Sequence, residues 1–498
     1  MNLAGVLDGH PDERVALISQ SNETTYGELR ADVARLAGGL VDRGVLPDDR
    51  VVIVAANNRD FVVSMFAALH LGAVAVPLNP RSPRPELATQ IETVDARVVL
   101  LGPGAAMRLT GTGTTADDLA PGGVVITPTP DALPGAIARD DLDGEPVERL
   151  DRAPDDLAVL MFTSGTAGGP KAAMLSHHSL LVNHDQLRAH DVSSGPDDVV
   201  FAALPFSHIY GLNVVLCLGL AQGARLLLVE NFDPANAIES VRRHGVTVFP
   251  GVPPMFASIV ELPDLEAADL ATLRRVSSGA SALPEATFEA FEQRFGIRIT
   301  EGYGLTEAAP GVTASSPELA APGSVGTVIP GVEVRLVDDE GLDALVGDPG
   351  ELWVRGPNVF SGYWREEAAT REVIDDEGWL HTGDIAVVDD DGRLYLVDRR
   401  KDLIIVSGFN VFPAEVEAVI EQIPGVDEVA VAGVPHPHTG EAVVAHVVLG
   451  EGVSSDEDVV ITFCEQRLPR YKSPSKVRFV TSIPRSEAGK VSRRLLAE

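Results

Sequence analysis

Cysteine and lysine are both scarce in this chain of 498 residues. The two cysteines, Cys217 and Cys464, are far apart, which excludes a disulfide scaffold and a cysteine zinc site and suits a reducing compartment. Basic charge is outnumbered: 39 Lys and Arg face 73 Asp and Glu, for a formal net charge of −34. A surface of that sign argues against nucleic acid and anionic membrane as partners. Long apolar runs are missing too. The most apolar stretch, IYGLNVVLCLGLAQGARLLLV, is interrupted by Asn213, Gln222 and Arg225. It reads as a helix, a turn at Gly223 and a buried strand, with no integral membrane association. The opening MNLAGVLDGHPDER lacks the basic start and apolar core of a signal peptide, so the expected location is cytoplasmic. GxSxG, HExxH and a complete GxGxxG are also absent, which leaves hydrolase, zincin and Rossmann readings without a motif. His177, His178, His184, His436 and His438 have no Cys, Asp or Glu at metal spacing and read as surface or helix-end residues.

What is present is a packed composition, 45% hydrophobic, on a length beyond what one core supports, so two or three folded units are expected. From residue 25 to 100, helical spacing (TYGELRADVARLAGGLVDRG, DFVVSMFAALHLGA) alternates with buried-strand runs (RVVIVAA, VAVPL). This alternation points to a mostly parallel sheet covered by helices. Residues 102–155 read as loop-rich without a domain boundary, and alternation resumes from Leu157 to about Pro310. Then GVEVRLVDD, GELWVRG and GRLYLVDRR read as antiparallel strands with turns such as Asp389–Gly392. After Arg399, strands and two helices, one with Pro413 in its first turn, make a compact α+β unit of about a hundred residues.

The densest local signal is TSGTAGGPKAAM, Thr163 to Met174, between the apolar run LAVLMF and the helix-like SHHSLLVNHDQL. Glycine-rich turns between strand and helix hold phosphate, because backbone N–H groups close around it without a Cβ in the way. A Walker loop would need a Ser or Thr after its lysine for magnesium. Ala172 follows Lys171 here, so that reading fails.

Taken with LPFSHIYG (Leu204–Gly211), EGYGLTE (Glu301–Glu307), GWLHTGD (Gly378–Asp384), DRRKDLIIVSGFNVFPAEVE (Asp398–Glu417) and PRSEAGKVSRR (Pro484–Arg494), the run resembles the adenylate-forming superfamily. Acyl-CoA synthetases, firefly luciferase and the adenylation domains of peptide synthetases belong to it. The resemblance spans nearly the whole chain, in the family's order. It implies an α/β fold with a large AMP-binding domain over residues 1–398, a β-rich subdomain over about 311–398, and a mobile α+β lid over 399–498. It also implies two half-reactions: carboxylate and ATP give acyl-adenylate and pyrophosphate, then the thiol of coenzyme A displaces AMP.

The resemblance also assigns residues. Thr163, Ser164, Gly165, Thr166 and Lys171 would hold the β- and γ-phosphates. The loop departs from the usual family spelling at Ala167 and Ala172. Glu307 is implied as the Mg²⁺ carboxylate and Thr306 as the α-phosphate contact. Tyr303, within Gly302–Gly304, would face one side of adenine, with Gly279 and Ala280 on the other. Asp384 would accept from the ribose hydroxyls and Arg399 would add a fork on ribose or phosphate. His208, Tyr210, Gly211 and Val214 would line the acyl pocket, His208 near the reacting carboxylate. Lys401 and Asp402 would mark the hinge, Gly408 the CoA tunnel, and Lys490 the cation bridging carboxylate and α-phosphate. Acetylation would remove that charge, which makes a lysine acetyltransferase a candidate partner.

Lysine usage agrees with these assignments. Only Lys171, Lys401, Lys472, Lys476 and Lys490 occur, and three of them fall within the motifs. A lysine is a flexible point charge whose geometry arginine's fork does not reproduce. Val214 and Gly211 leave room for a chain, and FSHIYGLNVVLCLGL and GVPPMFASIV carry no Lys or Arg to neutralise a second carboxylate. A medium- or long-chain fatty acid is therefore expected, with an aryl acid, or a separate carrier protein as acceptor, as the alternatives.

Overall fold

The βα alternation closes into two seven-stranded sheets. In one, the order is Ile137–Ala138, Val124–Thr127, Val98–Leu101, Arg50–Val54, Val74–Leu78, Leu157–Thr163 and Lys171–Ser176, with only the last pair antiparallel. In the other, it is Thr300–Glu301, Arg275–Ser278, Val248–Gly251, Val199–Ala202, Arg225–Leu228, Val15–Ser19 and the antiparallel edge Asn22–Thr25. The computed structural model describes every residue except 20–21, 130, 143, 164–169, 191, 193, 400–401, 407–408, 437–438, 451, 454, 486–490 and 497–498. Among the described residues no helix is long and apolar enough to cross a membrane.

Local chemistry explains the elements. Helix Tyr26–Asp42 begins where Thr25 accepts from the Glu28 N–H and the Glu28 carboxylate accepts back from the Thr25 N–H. Helix Arg59–His70 is buried without interruption from Phe61 to Leu69, as expected of a helix that is apolar all round. The loop-rich stretch does contain sheet: Val124–Thr127 and Ile137–Ala138 extend the first sheet at its edge.

Two histidines depart from the sequence reading. His177 opens helix His177–Ala189 but is fully buried, its Nδ1 accepting from the Leu3 N–H at 3.0 Å. His184 is buried in the same helix and donates from Nε2 to Asn213 Oδ1 at 2.8 Å. Burial pushes both imidazoles down to about 4, so they are neutral core groups and not surface ones. His436 is exposed, and His438 lies outside the described residues.

A four-stranded antiparallel sheet follows, Glu333–Val337, Gly350–Arg355, Leu380–Val388 and Leu394–Arg399. The smaller C-terminal domain has its own core, drawn from Ile404 to Val477. Its helices Pro413–Ile420 and Glu457–Glu465 accompany a sheet centred on the long antiparallel pair Val426–His436 and Gly440–Leu449. Lys472 is committed there to Glu415, with Nζ at 2.6 and 2.7 Å from the two carboxylate oxygens.

Candidate active site

The parallel strands of both sheets end at one cavity of about 1430 Å³, which the four-stranded sheet closes from the side. The mouth of an open parallel sheet beyond its strand ends is where α/β folds place ligands. Thr163, Lys171, His208, Tyr210, Val214, Gly279, Ala280, Gly302, Tyr303, Gly304, Thr306, Glu307 and Asp384 all line it. Ser164, Gly165, Thr166, Lys401, Gly408 and Lys490 lie outside the described residues, as does the Arg399 side chain.

At one pole, Thr163 and Lys171 are cross-strand partners at the end of an antiparallel pair, and both line the cavity. Glu307 sits in the short helix Thr306–Ala308, its backbone carbonyl accepting from the Phe360 N–H at 2.8 Å. Its Oε1 accepts from the Tyr363 hydroxyl at 2.7 Å. Burial, and then the charge of Glu307, push the Tyr363 hydroxyl up, so it stays a donor. The described residues contain no group of three or more His, Cys, Asp or Glu that could hold a metal. A lone carboxylate on the cavity wall that Lys171 also lines still suits Mg²⁺, which takes one or two carboxylates and completes its shell with phosphate oxygens and water.

At the other pole, the Tyr303 hydroxyl donates to Asp384 Oδ2 at 2.5 Å. Asp384 is aimed by a bulge: Leu352 alone faces residues 382–384, between the pairs Trp353↔His381 and Glu351↔Ile385. The Thr382 hydroxyl receives the Asp384 N–H at 3.1 Å and donates to the Leu352 carbonyl at 2.6 Å, which holds the bulge. Arg399 stands opposite Asp384 in the next strand.

A further stretch of the cavity wall is built by the turn before the wide helical segment Tyr210–Cys217. His208 Nδ1 accepts from the Tyr210 N–H at 3.3 Å. Tyr210 shares a hydrogen bond between its hydroxyl and Ser277 Oγ at 3.2 Å. Its ring lies where a Cβ on Gly279 would be, 2.9 Å from Tyr210 Cε1. Gly211 does not line the cavity, contrary to the sequence reading. A Cβ there would meet the Pro205 carbonyl at 2.2 Å, so this glycine permits a backbone crossing and makes no room for the acid. The charge expectation also changes. Arg275, from strand Arg275–Ser278, lies outside the two stretches first considered, yet it lines the cavity.

Tyr363, Arg275 and Glu301 are the wall residues that sequence reasoning passed over. Glu301 is only 6% exposed, and its Oε2 accepts from the Leu283 N–H at 3.1 Å. Its Oε1 has no hydrogen-bond partner among the described residues. Its place at the close of strand Thr300–Glu301, inside the motif EGYGLTE, was the available signal. Burial raises its carboxyl from an ordinary 4.5 to about 7. The folded protein therefore holds this proton more tightly than the unfolded chain. The stability so gained is full below pH 4.5 and is lost as pH rises through about 7. Glu301→Gln should remove that slope. The stability difference between variant and wild type should change by about 3 kcal/mol in the variant's favour between pH 4.5 and 8. Denaturant unfolding at the two pH values measures it, and parallel pH profiles would show that Glu301 is not held neutral.

A family model described as AMP-binding enzyme matches residues 4–364, and one described as AMP-binding enzyme C-terminal domain matches residues 415–490. The chain is 38% identical over 470 residues to a feruloyl-CoA synthase of an Amycolatopsis species, covering 94% of this chain and 92% of the relative. It is 31% identical over 523 residues to a long-chain-fatty-acid–CoA ligase of Bacillus subtilis, covering 98% and 92%. Among solved structures, ATP-bound MatB from Rhodopseudomonas palustris aligns with a TM-score of 0.90 at 34% identity, covering 100% of this chain and 98% of that one.

Proposed function

The chain belongs to the AMP-binding enzymes as an AMP-forming acid–thiol ligase, and we propose that it activates a carboxylic acid as acyl-adenylate and passes the acyl group to coenzyme A. The observation that carries this reading is the polarity of one cavity. A phosphate pole, Lys171 and Glu307, and a nucleoside pole, Tyr303 and Asp384, share it with an apolar wall that includes Val214. A carboxylate oxygen attacks the α-phosphorus of ATP and pyrophosphate leaves; the CoA sulfur then attacks the acyl carbon and AMP leaves. The acid is its own nucleophile, so positioning and charge stabilisation supply the catalysis. Lys171 and the loop from Thr163 hold the β- and γ-phosphates, Thr306 contacts the α-phosphate, and Asp384 takes the ribose hydroxyls in place of the Tyr303 hydroxyl. Glu307 would hold Mg²⁺, which supplies Lewis-acid neutralisation of phosphate charge.

For the acid, we favour an aromatic carboxylic acid bearing a polar ring group. The wall facing it combines apolar side chains with the Tyr210–Ser277 pair and Arg275. A site built to hydrogen-bond a substrate hydroxyl discriminates strongly against its absence. The second reading, a medium- or long-chain fatty acid, draws support from Val214, Val215, Leu218, Val248 and Met255 on the same cavity. Release of AMP should be measured with 4-hydroxycinnamate, cinnamate, octanoate and palmitate, with and without CoA. We expect 4-hydroxycinnamate to exceed cinnamate in kcat/KM by about tenfold or more. Preference for octanoate or palmitate would return the fatty-acid reading. AMP release unaffected by CoA would favour a carrier protein as acceptor.

A further inference from the structure

Lys171 and Glu307 carry opposite charges at the same pole of the cavity, yet no ion pair joins them among the described residues. Tyr363 lies between them. The Lys171 ammonium sits over its ring, 5.3 Å from the centroid, and its hydroxyl donates to Glu307 Oε1 at 2.7 Å. The tyrosine is itself fixed. It is 9% exposed, its N–H donates to Thr370 Oγ1 at 2.9 Å, and Phe360 meets its ring edge-on at 4.9 Å. Residues 361–364 run alongside strand Lys171–Ser176, with the Met174 N–H on the Gly362 carbonyl and the Trp364 N–H on the Ala172 carbonyl. Tyr363 is therefore the bridge partner of Ala173, two residues along the same strand from Lys171.

A cation meant for phosphate and an anion meant for a metal are both weakened if they neutralise each other. An aromatic face attracts an ammonium without cancelling its charge, and a phenol orients a carboxylate while leaving that charge in place. We propose that Tyr363 is a positioning residue that keeps Lys171 and Glu307 apart and aims both at the Mg²⁺–nucleotide. This rests on the reading of Glu307 as the magnesium carboxylate.

Binding of ATP in the absence of acid, where no turnover occurs, tests it by calorimetry across a Mg²⁺ titration. Tyr363→Phe retains the ring under Lys171 and removes the hydroxyl. Its Mg²⁺-free affinity for ATP should equal that of wild type, and the Mg²⁺ concentration for half-maximal tightening should rise about tenfold. Tyr363→Leu removes both contacts and lets Lys171 pair with Glu307, so Mg²⁺-free affinity should also fall. Adding Glu307→Gln to Tyr363→Leu should restore that Mg²⁺-free affinity, a rescue that a merely structural tyrosine would not produce. A wild-type Mg²⁺ profile in Tyr363→Phe, or no rescue in the double variant, overturns the proposal while Glu307→Gln alone still shifts the profile. A wild-type profile in Glu307→Gln itself overturns the magnesium assignment, and the proposal with it.

Discussion

Lys490→Ala should lower acyl-adenylate formation from free acid by a factor on the order of 10²–10³ and leave thioester formation from supplied acyl-adenylate intact. In the proposed first step a carboxylate approaches the anionic α-phosphate, and exclusion of water by a closing C-terminal domain would make that repulsion severe. One ammonium bridging the two anions would offset it, and the resemblance of PRSEAGKVSRR implies that role for Lys490. The described residues on either side are anchored to the small domain. Arg485 bridges Val491, and the Ser492 N–H donates to the Pro484 carbonyl at 2.8 Å. Arg493 reaches both Glu417 oxygens at 2.8 Å and the Val431 carbonyl at 3.0 Å. Its Nη1 lies 3.7 Å from Asp402, which with Lys401 is the proposed hinge. The two other lysines nearest in the sequence are Lys472 and Lys476. Lys472 is engaged by Glu415, which makes it a poor candidate. Single-turnover assays of the two half-reactions check the prediction, and near-normal adenylation by the variant would pass the role to Lys476.

Gly408→Leu should do the opposite, retaining adenylation near the wild-type rate and lowering CoA transfer by a factor on the order of 10². A glycine beside a narrow tunnel lets an extended thiol arm pass against the backbone, and a leucine would fill that space. Strands Ile404–Val406 and Phe409–Val411, which flank it, are paired in register, Val406↔Phe409, at the edge of the small-domain sheet. That edge would have to face the cavity in the thioester-forming pose. Pyrophosphate release in the first step and thioester yield in the second separate the two effects. An equal loss in both would show that the glycine serves a turn and not the passage of CoA.

Motif residues were legible because their chemistry is local. A glycine run with one lysine, an acid in a TGD turn and an acid after YGLT each announce a ligand type within a few positions, and the structure brings those described here to one cavity. Pocket shape was much less legible. Gly211 reads as space, but whether a missing Cβ makes room depends on what lies opposite, and there it is the Pro205 carbonyl. Arg275 was overlooked because a strand's side chains alternate between faces, and which face meets the cavity depends on the sheet around it. The histidines misled for the same reason: helical position says little about burial when the covering segment, Leu3 for His177, comes from the other end of the domain.

By itself the sequence determined most element types, the α/β character and the family, since periodicity, turn chemistry and motif spacing are properties of short segments. Only the tertiary structure decided that Tyr363 stands between Lys171 and Glu307, that a bulge opposite Leu352 turns Asp384 toward Tyr303, and that Glu301 is buried against Leu283. Each of those contacts joins segments distant in the chain. They exist because sheets pack side by side and the chain must fill the space between them, a constraint that no single segment carries.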